Sequence, residues 1–224
     1  MKKGKNCKIF DNVILFDNVI LGNNVVIFPG AVIGRSPLSS GATLRVVDVK
    51  KLPPTKIGDN CIIGCNAVLY SGVEINNNTM ICDNACIREG VKIGSFSLIA
   101  MGVTINYSTI IGNHVRIMDN THITGNSLIE DNVFIGPLVI TENDNSMGRI
   151  KMSIEEMEGP TIKKYVTVGG GANILPGLKI GENAIVSANA LVNKNVEPKT
   201  LVAGNPAKEI RKLRKSELIL QERS

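Results

Sequence analysis

From Ile57 to Ile135 every sixth residue is a large aliphatic: Ile57, Ile63, Leu69, Ile75, Ile81, and onward without a miss to Ile129 and Ile135. A second row runs two places earlier and is smaller, opening with Cys61, Ala67, Val73, Thr79 and Ala85 and closing with Ser127 and Val133. Residues two apart on an extended chain point to the same side, so both rows belong to the inward side of one short strand. Turn-forming residues separate the strands, as in Gly58-Asp59-Asn60, Gly112-Asn113 and Glu130-Asp131-Asn132. A six-residue period with one small and one large inward position is that of a parallel β-helix, with three strands and three corners to each coil. Residues eighteen apart then stack, and the coils build a stiff prism rising ~4.8 Å per turn.

The same rows are present in residues 7–34, at Ile9, Leu15, Leu21, Ile27 and Ile33, so the prism begins almost at the first residue. The pattern stops at Arg35, returns at Ile57 and runs unbroken to Gly136-Pro137; a second excursion occupies Thr141 to Pro160, and the pattern returns at Ile162, twenty-seven residues after Ile135 and out of phase with it. The expected organisation is all-β, a single domain over 1–224 with the β-helix at 7–203 and loop excursions at about 35–56 and 141–160. A short strand is possible from Leu44 to Val49. Insertions in solenoids emerge as surface loops and often line binding sites. After Pro206, the Lys-, Glu-, Leu- and Arg-rich segment predicts a short C-terminal helix at 207–222, which would cover the open edge of the last coil.

Composition narrows the function classes. Aromatic residues make up 4% and Trp is absent, as a narrow interior of Ile, Val and Ala layers requires. The sequence shows no cationic leader followed by an apolar stretch and no apolar run long enough to span a bilayer, so a cytoplasmic protein with no membrane partner is expected. Cys61 stacks on Thr79 and Cys65 on Asp83, so the two CxxxC pairs do not converge; the five cysteines read as packing residues and no metal is expected. Two histidines eight apart, His114 and His122, cannot supply the three-histidine zinc set of β-helix carbonic anhydrases. Regular outward Thr rows, the mark of an ice-binding prism, are missing. The net charge is +5, and the tail carries Lys208, Arg211, Lys212, Arg214, Lys215 and Arg223 against Glu209, Glu217 and Glu222. A basic end on a nearly balanced prism suits a polyanionic small molecule such as coenzyme A, and no basic stripe with interleaved aromatics points to nucleic acid.

The hexapeptide pattern resembles the left-handed β-helix acyltransferases, over most of the chain. The run Ile174-Leu175-Pro176-Gly177-Leu178-Lys179-Ile180-Gly181, then Val186-Ser187-Ala188-Asn189-Ala190 and Val202-Ala203-Gly204-Asn205-Pro206-Ala207-Lys208, is similar to the C-terminal signature of the members that use coenzyme A and act on sugars. The stretch from Phe134-Ile135-Gly136-Pro137 to Asn143-Asp144 and Gly148-Arg149 is similar to the branch that acylates amino groups of nucleotide-linked sugars. The resemblance implies a left-handed coil, a homotrimer, and acetyl-CoA or another short acyl-CoA as co-substrate, lying between adjacent prisms. It places Gly170 and Ala188 against the pantetheine and Ala203, Lys208 and Arg211 near the nucleotide end of the coenzyme. Asn143, Asp144 and Arg149 become substrate-binding candidates on the same ground.

Transfer of an acyl group requires that an amine or hydroxyl lose a proton as it attacks the thioester. His122 lies between inward Thr121 and Ile123 and therefore points outward from mid-strand, where a neighbouring subunit could meet it. The stacking register adds Asp83-Asn84 and Asp119-Asn120, two coils apart on one corner, and Arg88-Glu89 at the next corner, with Glu142 and Asn143 in the column above if the phase persists past Ile135. His122, Glu142 and Asp83 are the catalytic candidates, with the substrate's own amine as a further possibility. Asn84, Arg88, Glu89 and Asn120 are substrate-binding candidates, although Asn and Asp at corners equally serve turn geometry. The sequence reading is an acyl-CoA-dependent N-acyltransferase acting on a nucleotide-linked amino sugar, with O-acetylation of a sugar hydroxyl as the alternative.

Overall fold

Ile75 pairs with Ile57 on the coil below and with Ile93 on the coil above, eighteen residues away in each direction. The computed structural model describes residues 2–38, 48–150, 153 and 156–219, and this stacking governs nearly all of them. Three sheets of nine, eleven and nine strands form the walls of a prism. The first face contains Glu74–Ile75, the second Met80–Ile81 and the third Cys86–Ile87, and all ladders but the last are parallel. Most strands are two residues long because the chain must turn every six.

The large inward row is sealed: Ile63, Leu69, Ile81, Ile87, Ile99, Ile105 and Ile123 have no exposed surface. Each such burial contributes about 1.5–3 kcal/mol, so the fold rests on a column of stacked aliphatic layers. Thr and Ser are accommodated in the small row because their hydroxyls donate to corner carbonyls: Thr79 to Gly94 at 2.9 Å, Thr109 to Thr124 at 2.9 Å, Thr121 to Gly136 at 2.8 Å. A buried hydroxyl so paired avoids the cost of an unmet donor.

Corner chemistry explains the Gly-Asp-Asn turns. Asn24, Asn60, Asn78 and Asn132 adopt left-handed φ between 55° and 61°, the conformation that Asn tolerates best after Gly. On the first corner, between the first and second faces, the residue before each such Asn caps the coil below: Asp59 Oδ1 accepts from the Asn23 amide at 2.6 Å, Asn77 from Asp59 at 2.8 Å, and Asp131 from Asn113 at 2.8 Å. The stacking is so close that a Cβ on Gly94 would sit 2.4 Å from the backbone of Gly112.

Both excursions interrupt the prism at one place. Leu21 pairs with Ile57 instead of a residue eighteen on, and Ile129 with Ile162. The chain leaves after Val32–Arg35 and after Ile140–Thr141, each time from the end of a third-face strand. The third corner, between the third and first faces, is therefore flanked by both. Residues 44–47 of the expected short strand lie outside the described residues, and Val49–Lys51 forms a single 3₁₀ turn.

The C-terminal helix expected at 207–222 is not formed. Lys208–Lys212 is instead a strand, antiparallel to Thr200–Ala203, and only a 3₁₀ turn at Lys215–Glu217 follows; residues 220–222 lie outside the described set. The last strand of the second face exposes a row of unpaired backbone groups, and pairing them outweighs the modest helix preference of Lys, Glu and Leu. The added strand is charged on its free side, as are Lys2, Lys3 and Lys8 at the opposite end, which discourages end-to-end stacking of prisms.

Candidate active site

The outward column of the third face reads Val32, Val68, Cys86, Thr104, His122, Ile140, Asn173, fixed by successive strand pairings. His122 is half-buried in it, and its Nδ1 lies 2.7 Å from Thr104 Oγ1 on the coil below. Burial pushes the imidazole pKa below its ordinary value, which favours the neutral ring near pH 7. When Nδ1–H donates to the Thr104 hydroxyl, Nε2 carries the lone pair, and among the described residues nothing else bonds it. His114 is different: it sits at the first corner with φ 54° and stacks on Phe96 at 5.0 Å, a packing role.

The remaining candidates divide between the two edges of this face. On the second corner, between the second and third faces, stand Asp83, Asn84 and Asn120, and higher in the same column Gly170 and Ala188. Asp83 Oδ1 accepts from the Cys65 amide at 2.7 Å, so this carboxylate is occupied in bracing the turn. Asn84 and Asn120 adopt the left-handed corner conformation. The Gly170 and Ala188 amides have no acceptor among the described residues, because the residue stacked above Gly170 is Ala188 and not an Asn or Asp that would cap it. Both positions are accessible to solvent. Gly169 and Gly171 have internal reasons to be glycine: a Cβ would lie 2.4 Å from the Ala188 amide nitrogen at Gly169 and 2.2 Å from Asn189 Oδ1 at Gly171. Ala203 pairs with Lys208 across the terminal ladder, which brings an exposed cation to the top of the same column. Arg211 stands apart, its guanidinium gripping Glu217 through two bonds of 2.7 and 2.6 Å.

On the third corner the register continues as the sequence pattern implies. Arg88 pairs with Glu89 through Nε at 2.9 Å, and the Glu89 side chain is 1% exposed. One coil higher the ring of Tyr107 lies over Gly125, where a Cβ would be 2.6 Å from it. Asn143 Nδ2 reaches Tyr107 OH at 3.4 Å and the Gly125 carbonyl at 3.3 Å, and Asn126 Nδ2 donates to the Met157 carbonyl at 2.8 Å. These contacts clasp the second excursion to the corner. Glu142 stands half-buried beside them with no carboxylate partner among the described residues. Asp144 accepts from the Ser146 and Gly148 amides at 2.7 and 2.8 Å, which holds the loop in shape, and the Ser146 side chain, followed by the Gly148 amide, holds its pKa below the ordinary carboxylate value. Arg149 is exposed in that loop.

Sequence reasoning missed Thr104, the group that orients His122, although it lies eighteen residues before it. It also passed over Arg35 and Tyr70, which continue the Arg88 column downward: both guanidiniums lie over the Tyr70 ring at 4.9 Å from its centroid, and Arg35 Nη1 bonds the phenol oxygen.

Comparison with known proteins agrees with this architecture. Residues 54–89 and 108–143 match the bacterial transferase hexapeptide model (six repeats), and 77–107 and 164–194 match the hexapeptide repeat of succinyl-transferase. A chloramphenicol acetyltransferase of Escherichia coli is 57% identical over 47 residues, 21% of this chain and 22% of that protein. A serine acetyltransferase of Buchnera aphidicola subsp. Schizaphis graminum is 38% identical over 90 residues, 38% of this chain and 34% of that protein. These matches span at most about a third of either relative's length. Among solved structures, the UDP-N-acetylglucosamine acyltransferase of Arabidopsis superposes with a TM-score of 0.62 at 23% identity, over 96% of this chain and 65% of that one, a likeness of fold. The two repeat models between them match 54–143 and 164–194, more than half of a chain whose strands recur every six residues and stack every eighteen; the chain belongs to the hexapeptide-repeat acyltransferase family.

Proposed function

We propose that the protein transfers an acetyl or other short acyl group from coenzyme A to the amino group of a nucleotide-linked amino sugar. The observation that carries the reading is the Thr104–His122 pair: a half-buried imidazole facing outward, with one nitrogen held and the other open. The acceptor nitrogen, as a free amine, adds to the thioester carbonyl, the C–S bond breaks, and the proton lost by nitrogen passes through His122 Nε2 to the departing coenzyme A thiolate. A neutral imidazole beside the acceptor suits both proton steps.

The unpaired amides of Gly170 and Ala188 support the placing of the coenzyme's arm, whose amide carbonyls need donors along an extended path. Lys208 at the top of that column suits its phosphates. Arg211 is committed to Glu217 and is the weaker candidate. The two excursions flank the third corner over five coil steps, ~24 Å at the usual spacing, a length that suits an extended nucleotide-linked sugar. A homotrimer would supply the facing wall of such a groove.

A second reading, transfer to a hydroxyl, is favoured by the same imidazole, because a hydroxyl cannot be deprotonated in advance and needs a positioned base. Release of free thiol from acetyl-CoA in the presence of nucleotide-linked sugars with an amine, a hydroxyl or neither at the same carbon separates the two. Turnover with the amine alone supports the proposal; turnover with chloramphenicol or serine and none with any nucleotide-linked sugar overturns it.

A further inference from the structure

Three side chains from three successive coils form a stack at the lower end of the third corner. Arg35 closes the strand Val32–Arg35 and is paired in register with Tyr70, and Arg88 follows the strand Cys86–Ile87 one coil above Tyr70. Each guanidinium carbon lies 4.9 Å from the Tyr70 ring centroid, so the ring is sandwiched between two cations. The two arginines are not equivalent. Arg88 is neutralised by the buried Glu89 carboxylate, whereas Arg35 is exposed and among the described residues meets no carboxylate, only the Tyr70 phenol. One Arg35 nitrogen, Nη1, is spent on that phenol, and the other guanidinium N–H groups meet no acceptor among the described residues. Among the described residues the stack therefore presents free donors on Arg35 and one positive charge that no carboxylate meets.

Its location is defined by the register. Cys86 lies beside the stack on the outward third face, and both arginines act on its thiol, opposing the upward push of burial. From Cys86 the same column runs through Thr104 to His122. Tyr70 is thus three coils below His122, ~14 Å along the prism axis. That offset is of the order that separates a sugar carbon from the diphosphate and nucleoside attached to the ring.

We infer that Arg35 and Tyr70, backed by Arg88, form the diphosphate-binding end of the acceptor groove, with the Arg35 fork on the phosphate oxygens and Tyr70 fixing that fork in place. The site rests on the reading of a nucleotide-linked acceptor, and it adds two residues and a direction: the sugar points toward His122 and the second excursion, the nucleotide toward the first. Glu89 has the positioning role of holding Arg88 against the ring.

Calorimetric titration of the full-length protein with uridine and thymidine diphosphates, in the presence of excess coenzyme A so that any site for the coenzyme's own nucleotide is filled, tests the assignment. Wild type should bind the diphosphates and not the parent nucleosides. Arg35→Gln should weaken binding by about tenfold or more, as loss of a charged hydrogen-bond donor does; Tyr70→Leu should do likewise, and Tyr70→Phe, which keeps the stacking ring, should lose less. Affinity for coenzyme A should stay unchanged in all three, with melting temperatures near wild type for Arg35→Gln because the side chain is exposed. Diphosphate binding that is the same in Arg35→Gln and wild type overturns this subsite and leaves the nucleotide-linked acceptor standing. Absence of diphosphate binding to wild type overturns both.

Discussion

The Thr104 hydroxyl lies 2.7 Å from Nδ1 of His122, one coil below it on the same outward column. Two-residue strands leave one outward position per face and coil, so a side chain there meets its neighbours chiefly along the prism axis. An imidazole in such a column is oriented by whatever stands eighteen residues before or after it. Here one neighbour is a hydroxyl and the other, Ile140, is apolar, which fixes Nδ1 as the bonded nitrogen.

His122→Asn should lower turnover by roughly two to four orders of magnitude with little change in either Michaelis constant, the usual scale of general-base catalysis. Thr104→Val should lower turnover less, about tenfold, and Thr104→Ser should restore it, because the hydroxyl only orients the ring. In the pH profile, activity should rise as His122 loses its proton, with the limb below the ordinary histidine value of about 6.5, since burial lowers this pKa. The same shift bears on stability: as pH falls through about 6.5 toward the lowered value the unfolded chain takes up a proton that the folded chain resists, so the fold weakens in that window. A flat profile together with an active His122→Asn enzyme would move the proton to Glu142 or to the substrate.

The prism was legible in the sequence because its period acts on every residue: the inward row that begins at Ile57 is the buried row of the structure. The third-corner column was legible for the same reason, and Asn143 does reach the Gly125 carbonyl, eighteen residues back. Thr104, Arg35 and Tyr70 were not recognised because stacking adds side-chain partners without any local motif, and a Thr or Tyr in a strand is unremarkable by itself. The tail was misread because helix propensity is a local property, whereas the demand for a partner at the edge of Thr200–Ala203 comes from the finished sheet. Propensity had no competitor until the solenoid stopped.

Gly125 has room for no side chain while Tyr107 lies across it. Gly125→Ala should cost about 1–3 kcal/mol, the range for overpacking, and lower the melting temperature by several degrees. Tyr107→Ala should release the clasp on Asn143 and Met157, and in that background Gly125→Ala should add almost nothing. A double-mutant cycle by thermal denaturation checks the coupling; equal penalties in both backgrounds would show that the ring is not what constrains residue 125.

The basic tail separates into two jobs. Lys208→Glu should raise the Michaelis constant for acyl-CoA severalfold with turnover unchanged, because the phosphates are remote from the reacting carbon. Arg211→Gln should leave that constant alone and loosen the 3₁₀ turn at Lys215–Glu217 instead. Glu217 is the reporter: its hydrogen bond from Arg211, with help from the Arg214 amide, draws its pKa down to about 2. Its folded pKa being depressed, its contribution is present above the unfolded value near 4.5 and lost as pH falls toward 2. In Arg211→Gln, titration of Glu217 followed by NMR should move back toward 4.5, and a Glu217 that still titrated near 2 would mean that Arg211 is not its partner.

The three faces are unequal in a way that bears on assembly. Outward on the first face stand Lys56, Glu74 and Lys92, then Ile110 and Leu128, then Thr161 and Lys179, so its apolar stretch is confined to two coils between polar ones. Outward on the second stand Val26, Ile62, Met80 and Leu98 on consecutive coils, and Met80 is 41% exposed. A continuous apolar column of this kind on a rigid wall marks an interaction surface, and the adjacent second corner carries the unpaired Gly170 and Ala188 amides. Three copies packed with second and third faces turned toward one another would cover the column and set a second wall beside His122. Sedimentation equilibrium should give a trimer. Met80→Asp combined with Leu98→Asp should yield monomers with an unchanged far-ultraviolet spectrum, since both side chains lie outside the core, and with acyl transfer abolished. A wild-type protein that sediments as a monomer while fully active would mean that one prism builds the whole site, and that the apolar column serves another partner.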